Sequence, residues 1–183
     1  MSPTCNLVPP LRPARNEDVP ALEELIALSV RELLGRHYSP RQIAGALGSV
    51  FGVDRQLIRD GTYFVLEDSG HLIAGGGWSR RRAPFGGDAG RAGPDPELDP
   101  ATDAARIRAF FVHPDWERRG LGRALLAASE SAARAAGFRR LELVATLAGE
   151  PLYRRHGFTE TQRTRVALAN GESLPVVHMA KPI

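Results

Sequence analysis

The stretch "FFVHPDWERRGLGRALLAAS", residues 110–129, sets Gly120 and Gly122 between an apolar run and a segment rich in helix formers. Glycine at the mouth of a helix loses more backbone freedom on folding than alanine does, so the pair marks a turn that needs bare main chain. Leu121, Ala124, Leu125, Ala128, Ala132 and Ala135 then recur at helical spacing, and Gly137 supplies a stop. A strand-like segment therefore feeds directly into a helix N-terminus. Such a terminus offers unpaired N–H groups and the positive end of the helix dipole, a site for anions. Arg118, Arg119 and Arg123 add charge beside it, and glycine lets a phosphate approach the main chain closely.

The rest of the chain alternates strand and helix signals. "LRPAR" (11–15) reads as a first strand, and Asn16 caps a helix with Leu22, Leu25, Ile26, Val30, Leu33 and Leu34 on one face. Ser39-Pro40 opens a second helix, and a third short one is expected around 54–59. "TYFVLED" and "HLIAGGGWSRR", joined at Ser69-Gly70, form a hairpin. "ARIRAFFV" is a strand before the glycine turn and "RRLELVAT" one after its helix. Pro151 starts a short helix that Gly157 closes, and a last hairpin begins at Thr164 and turns at Asn170-Gly171. Residues 82–103, crowded with Gly, Pro and Asp, read as one long loop.

With 43% hydrophobic and 25% charged residues over 183, the chain is expected to fold as a single domain spanning 1–183, with residues 1–8 as a frayed tail. No apolar run spans a bilayer, and prolines interrupt the N-terminal segment where a secretory signal would be apolar, so a cytoplasmic location is expected. Cys5 is the only cysteine, which excludes an internal disulfide, and its place near the terminus makes it a poor nucleophile. A net charge of +3 favours anionic ligands. No basic-aromatic run and no zinc-finger spacing points to nucleic acid, and no metal site is expected.

The phosphate ligand is narrowed by what is missing. No G-x-x-x-x-G-K-[ST] string exists for an ATP-type loop. The dinucleotide pattern G-x-G-x-x-G fails at Leu125, and the turn follows an antiparallel hairpin instead of opening a βαβ unit. "IRAFFVHPDWERRGLGRALL" followed by "ATLAGEPLYRRHGF" resembles the GNAT superfamily of acyl-CoA-dependent N-acetyltransferases, whose [QR]-x-x-G-x-[GA] turn and Y-x-x-x-G-F segment these match.

The resemblance implies an α/β (α+β) fold: a central, mixed, mostly antiparallel twisted sheet of about seven strands with helices on both faces. It also implies acetyl-CoA or coenzyme A as co-substrate and a primary amine of a small molecule or peptide as acceptor; the short apolar runs lead to no expected membrane partner, and a homodimer is left open. Carried over by position, Phe111 and Val112 end the strand that meets pantetheine. Arg118, Arg119, Gly120, Leu121, Gly122, Arg123 and Ala124 form the pyrophosphate turn, and Tyr153 is the general acid that also contacts the cofactor.

Val112 N–H is expected to polarise the thioester carbonyl. Departures from the pattern are Glu117 at the Gln/Arg position, Arg118 at a frequent glycine, Ala148 at a frequent asparagine, and Arg106 near the place of a glutamate base. The base is therefore open among Glu67, Asp68, His113, Glu142 and water. Trp78, Arg80, Arg106 and Arg108, with Arg81 and Arg82 adjacent, are candidate substrate residues for an acidic acceptor. A non-catalytic acyl-CoA-binding or regulatory module with the same fold is the alternative reading.

Overall fold

The computed structural model describes residues 8–85, 87 and 95–183. In chain order its strands are β1 (Leu11–Pro13), β2 (Tyr63–Asp68), β3 (His71–Ser79), β4 (Ala105–Val112), β5 (Arg140–Ala145), β6 (Thr159–Ala167) and β7 (Ser173–Pro182). Its helices are α1 (Val19–Glu32), α2 (Pro40–Ala46), α3 (Arg55–Arg59), α4 (Leu121–Ala135) and α5 (Glu150–Arg155). The strands form one sheet in the order β1-β2-β3-β4-β5-β7-β6. β4 and β5 are parallel because α4 carries the chain back between them, and the other neighbours are antiparallel.

Period-two burial puts helices on both faces. In β2, Val65 packs with Leu22 and Leu25 of α1, while the next residue, Leu66, packs with Leu121 and Leu125 of α4. The expected α/β (α+β) class, mixed and mostly antiparallel, is the fold adopted.

Helix starts follow local chemistry. Ser39 Oγ accepts the Gln42 N–H at 3.2 Å and Gln42 Oε1 accepts the Ser39 N–H at 2.9 Å, a reciprocal cap for α2. Asp54 Oδ1 accepts the Leu57 N–H at 3.2 Å at the start of α3. Asn16 does not cap α1. Residues 16–18 make a 3-10 turn instead, Asp18 Oδ2 takes the Arg15 N–H at 2.7 Å, and α1 begins at Val19.

Two expectations on extent need correction. β6 begins at Thr159, not Thr164, and its first five residues are exposed. As the edge strand it has no core-facing side there, so the apolar alternation that marks a strand is missing. The segment 82–103 is also less loose than its composition suggests. Arg82 N–H donates to Pro96 O at 3.1 Å, Leu98 N–H donates to Arg80 O at 2.7 Å, and Arg81 bridges Glu97, so the loop closes on a short ladder. Residues 86 and 88–94 of that loop, and residues 1–7 with Cys5, lie outside the described part of the chain.

The centre of the sheet is irregular. Gly75 faces Phe111 and Gly77 faces Arg108, so Ala109 and Phe110 together oppose Gly76, a β-bulge with Ala109 at φ 59°. The glycine run makes room for it. A Cβ on Gly76 would lie 2.3 Å from the Phe110 ring, and one on Gly77 would lie 2.2 Å from the Thr62 carbonyl oxygen.

Gly76→Ala should therefore lower the unfolding free energy by about 1–3 kcal/mol, the cost of overpacking. Gly35→Ala, where nothing lies within 4 Å of the added carbon, should stay within about 0.5 kcal/mol. Denaturant titration of the two variants checks the contrast.

Candidate functional site

β4 and β5 are paired only at Ala105–Leu141, Arg106–Glu142 and Ile107–Leu143. Beyond those rungs the strands part, although β4 runs on to Val112 and β5 to Ala145. The bulge sets the point of parting. It is held by the Tyr63 hydroxyl, which donates to the Ala109 carbonyl oxygen at 3.2 Å. Tyr63 is fully buried and passes beside Gly75, where a Cβ would sit 3.0 Å from its ring. Burial, with the Asp54 carboxylate nearby, pushes the Tyr63 pKa up, so the hydroxyl keeps its proton.

A cleft of about 620 Å³ occupies the gap and passes through the sheet. One end is lined by the turn before α4 and by Leu152, Tyr153, Arg155 and His156. The other end is lined by the close of α1, the α2–α3 connection, Phe85, and residues of β6 and β7.

At the first end, the N–H groups of residues 118–123 have no acceptor among the described residues, and the first helical bond runs from Ala124 N–H to Gly120 O at 3.0 Å. Six consecutive main-chain donors are thus left without an acceptor among the described residues at a helix N-terminus, which the helix dipole makes suited to an anion. The turn needs left-handed backbone at Arg118 (φ 64°) and Gly120 (φ 84°). That explains why glycine is frequent at the first position, and why arginine there costs about 1–2 kcal/mol.

Gly122 has a different reason. A Cβ there would lie 3.0 Å from Leu152, so packing of α5 accounts for it, and the clearance argument holds only for Gly120, whose Cβ would touch nothing nearer than Val8 Cγ2 at 4.0 Å.

The charges around the turn divide. Arg118, Arg123 and Arg155 are exposed and carry no ion pair among the described residues, while Arg119 stacks over Trp116 at 4.7 Å. Glu117 Oε2 accepts from Arg36 Nη1 at 3.0 Å, which offsets the carboxylate at the Gln/Arg position. Arg36 has no local sequence signal, since its partner lies 81 residues away.

Where the strands part, His113 N–H donates to Ile73 O in β3 at 2.8 Å. By alternation Phe111 also bonds β3, while Val112 N–H points into the gap, where Ser29 Oγ of α1 accepts it at 3.4 Å. The main-chain groups turned into the gap are therefore those of Val112, and Phe111 instead contributes a buried ring edge-on to Phe51 at 6.3 Å. Tyr153 packs against Phe110 at 6.2 Å and Phe158 at 5.7 Å between ring centroids. Its hydroxyl has no partner among the described residues, and burial pushes its pKa up.

The proposed acidic-acceptor cluster is not assembled. Trp78 is in the core, edge-on to Phe138 at 5.9 Å. Arg80 meets Glu97 at 3.3 Å, Arg81 meets Asp60 at 2.7 Å, and Arg106 pairs with Glu142. Of the four named substrate residues only Arg108 reaches the cleft, and it is bound to Asp54 at 2.9 Å. Among the candidate bases, Glu67 binds Arg12 at 2.9 Å, Asp68 ends its strand accepting from Ser69 at 3.2 Å, Glu142 binds Arg106, and His113 Nδ1 accepts the Asp115 N–H at 3.2 Å. None of the four lines the cleft.

Sequence reading missed three residues that shape the site. Ser29 interrupts the apolar stripe of α1, and that polar break was the available signal. Tyr63 was legible only through the glycine run that accommodates it. Tyr38 donates to Pro175 O at 2.8 Å and accepts the Leu147 N–H at 2.9 Å, tying the turn after β5 and Ala148 to β7.

A family profile described as the acetyltransferase (GNAT) domain matches residues 59–160, more than half of the chain. The protein is a member of the GNAT acetyltransferase family. The matched span holds the bulge, the turn and Tyr153. Solved structures share the fold at low identity. A GCN5-related N-acetyltransferase from Rhodopseudomonas palustris is 22% identical, covering 97% of each chain, with a TM-score of 0.71. The PaiA N-acetyltransferase of Thermoplasma acidophilum in complex with coenzyme A is 14% identical, covering 95% of this chain and 98% of its own, at 0.63. YncA of Salmonella typhimurium with its cofactor acetyl-CoA is 20% identical, covering 94% and 92%, at 0.62. No curated protein matches the sequence. Among the described residues of this GNAT protein, no helix is long and apolar enough to cross a membrane.

Tyr63→Phe should cost about 1–3 kcal/mol by leaving the Ala109 carbonyl without its donor. Tyr63 and Tyr153 both keep their protons in the folded state above the unfolded value of 10.0, so their contribution to stability is complete below pH 10.0 and declines as the pH rises through the folded values. Urea midpoints on either side of pH 10.0 should fall with rising pH, and less steeply in Tyr63→Phe.

Proposed function

We propose that this GNAT-family acyltransferase moves an acetyl group from acetyl-CoA to a primary amine of a small molecule or peptide by direct attack. The observation that carries this is the row of six N–H groups at residues 118–123 without an acceptor among the described residues, next to a gap in the sheet into which Val112 N–H points. That row suits a diphosphate, with Arg118, Arg123 and Arg155 as countercharges. The gap suits an extended arm that places a thioester beside Val112, and acetyl-CoA supplies the activated acyl group. Coenzyme A and acetyl-CoA complexes of the PaiA and YncA structures support the same choice of ligand.

Residues of this chain then have separable tasks. Val112 N–H, shared with Ser29 in the absence of ligand, donates to the carbonyl oxygen as negative charge develops on it. The neutral amine nitrogen forms its bond to the carbonyl carbon, the carbon–sulfur bond breaks, and the sulfur takes the Tyr153 proton. A hydroxyl with a raised pKa remains protonated at neutral pH, so Tyr153 is loaded as an acid before each turnover and regains its proton from solvent. The surplus amine proton leaves to water, since the only carboxylate lining the cleft among the described residues, Glu117, is held by Arg36.

A non-catalytic acyl-CoA-binding module would share the turn but give no thiol release with any amine. Tyr153→Phe should lower kcat roughly tenfold or more with little change in acetyl-CoA affinity by calorimetry. Arg123→Glu should do the reverse, weakening acetyl-CoA binding by about tenfold through charge reversal at the turn. An unchanged kcat in Tyr153→Phe removes that residue as the acid.

A further inference from the structure

We infer that the acceptor is a primary amine carried on an uncharged apolar body, aliphatic or aromatic, and not an amino acid or other amine bearing a carboxylate or phosphate. The inference rests on the acetyl-transfer reading and concerns the end of the cleft away from the glycine turn.

That end lies on the α1 face of the sheet. Its walls are Leu33 from the end of α1, Val50 and Phe51 from the α2–α3 connection, Phe85, and Val166 and Val176 from the last hairpin. Phe51 and Val176 belong to the same core cluster as Phe111, so the wall continues directly from the point where β4 leaves β5. An amine that reaches the Val112 N–H from this side has its body mostly against hydrocarbon, with the His37 side chain also on the lining. Burying apolar area there favours an apolar substituent, whereas a carboxylate would lose its hydration without replacement.

The two arginines nearest this end, Arg108 and Arg36, do not change that balance. The Arg108 side chain is 1% exposed and is bound to Asp54 at 2.9 Å and to Asp95 at 3.4 Å, and it donates to the Ala83 carbonyl at 2.6 Å. Its charge is already met by acids of the chain, in a pair taken out of water. Recruiting it for a substrate would leave a buried carboxylate uncompensated. Arg36, further towards the turn, is bound to Glu117. No Asp or Glu among the described residues lines this end, so an ammonium entering it finds no counter-ion among them. Desolvation then lowers the amine pKa and favours the neutral, nucleophilic form. The apolar wall thereby supplies part of what a general base would otherwise do.

The test uses the full chain and matched amines in a thiol-release assay with saturating acetyl-CoA: hexylamine against 6-aminohexanoate, and 2-phenylethylamine against phenylalanine. The uncharged-body member of each pair should have kcat/KM about tenfold higher or more. Equal or better use of the carboxylate members overturns the inference. No turnover of either member by protein that gives heat with acetyl-CoA also overturns it, while leaving cofactor binding at the turn intact. Absence of that heat takes down the acetyl-transfer reading and this inference with it.

Discussion

Two residues of β4 face one residue of β3, and most of the site depends on that mismatch. The extra residue, Ala109, takes a left-handed backbone angle that a non-glycine residue adopts only when its surroundings hold it there. Here the surroundings do so from both sides. The buried Tyr63 hydroxyl fixes the Ala109 carbonyl, and three successive glycines give up the volume that Tyr63, Phe110 and the Thr62 carbonyl occupy. Once β4 is bent at that point it cannot stay in register with β5, and pairing ends at Ile107–Leu143. The gap in the sheet is thus a consequence of packing, with the local weakness of a parallel pair helping it open.

What surrounds the gap divides by face. On the α4 side are exposed arginines and unpaired amides, on the α1 side mostly hydrocarbon with Arg108 already bound to Asp54, and between them the Val112 N–H and the Tyr153 hydroxyl. A ligand with a charged diphosphate at one end and an acyl group at the other matches this polarity in one orientation only. Tyr38 adds rigidity from outside the cleft by joining the turn after β5 to β7. The protein therefore holds its parted strands apart through hydrogen bonds to buried tyrosines, which resist titration well above neutral pH.

The sequence was readable wherever structure is decided within a few residues. Gly120, Gly137, Gly157 and Gly171 all take positive φ and end or begin the elements assigned to them. The Ser39 cap and the hairpin at Ser69-Gly70 are local in the same sense, and so is the spacing of the turn and Tyr153 that marks the family. Three things escaped because they depend on distant partners or on solvent. The arginines at 80, 81, 106 and 108 looked like a substrate clamp because their acids, Glu97, Asp60, Glu142 and Asp54, are brought alongside only by the tertiary fold. The start of β6 escaped because an exposed edge strand has no apolar period. The bulge was written in Gly75-Gly76-Gly77, but a glycine run shows only that something comes close, not that Phe110 and Tyr63 do.

The account stands on the amides at the mouth of α4 acting together with the parted strands as one ligand site. Hydrogen exchange read by mass spectrometry, with and without saturating acetyl-CoA, measures those amides directly. Exchange should slow at residues 118–123 and at Val112, with the exposed start of β6 unchanged as an internal reference. Equal exchange rates at the turn with and without acetyl-CoA would contradict it.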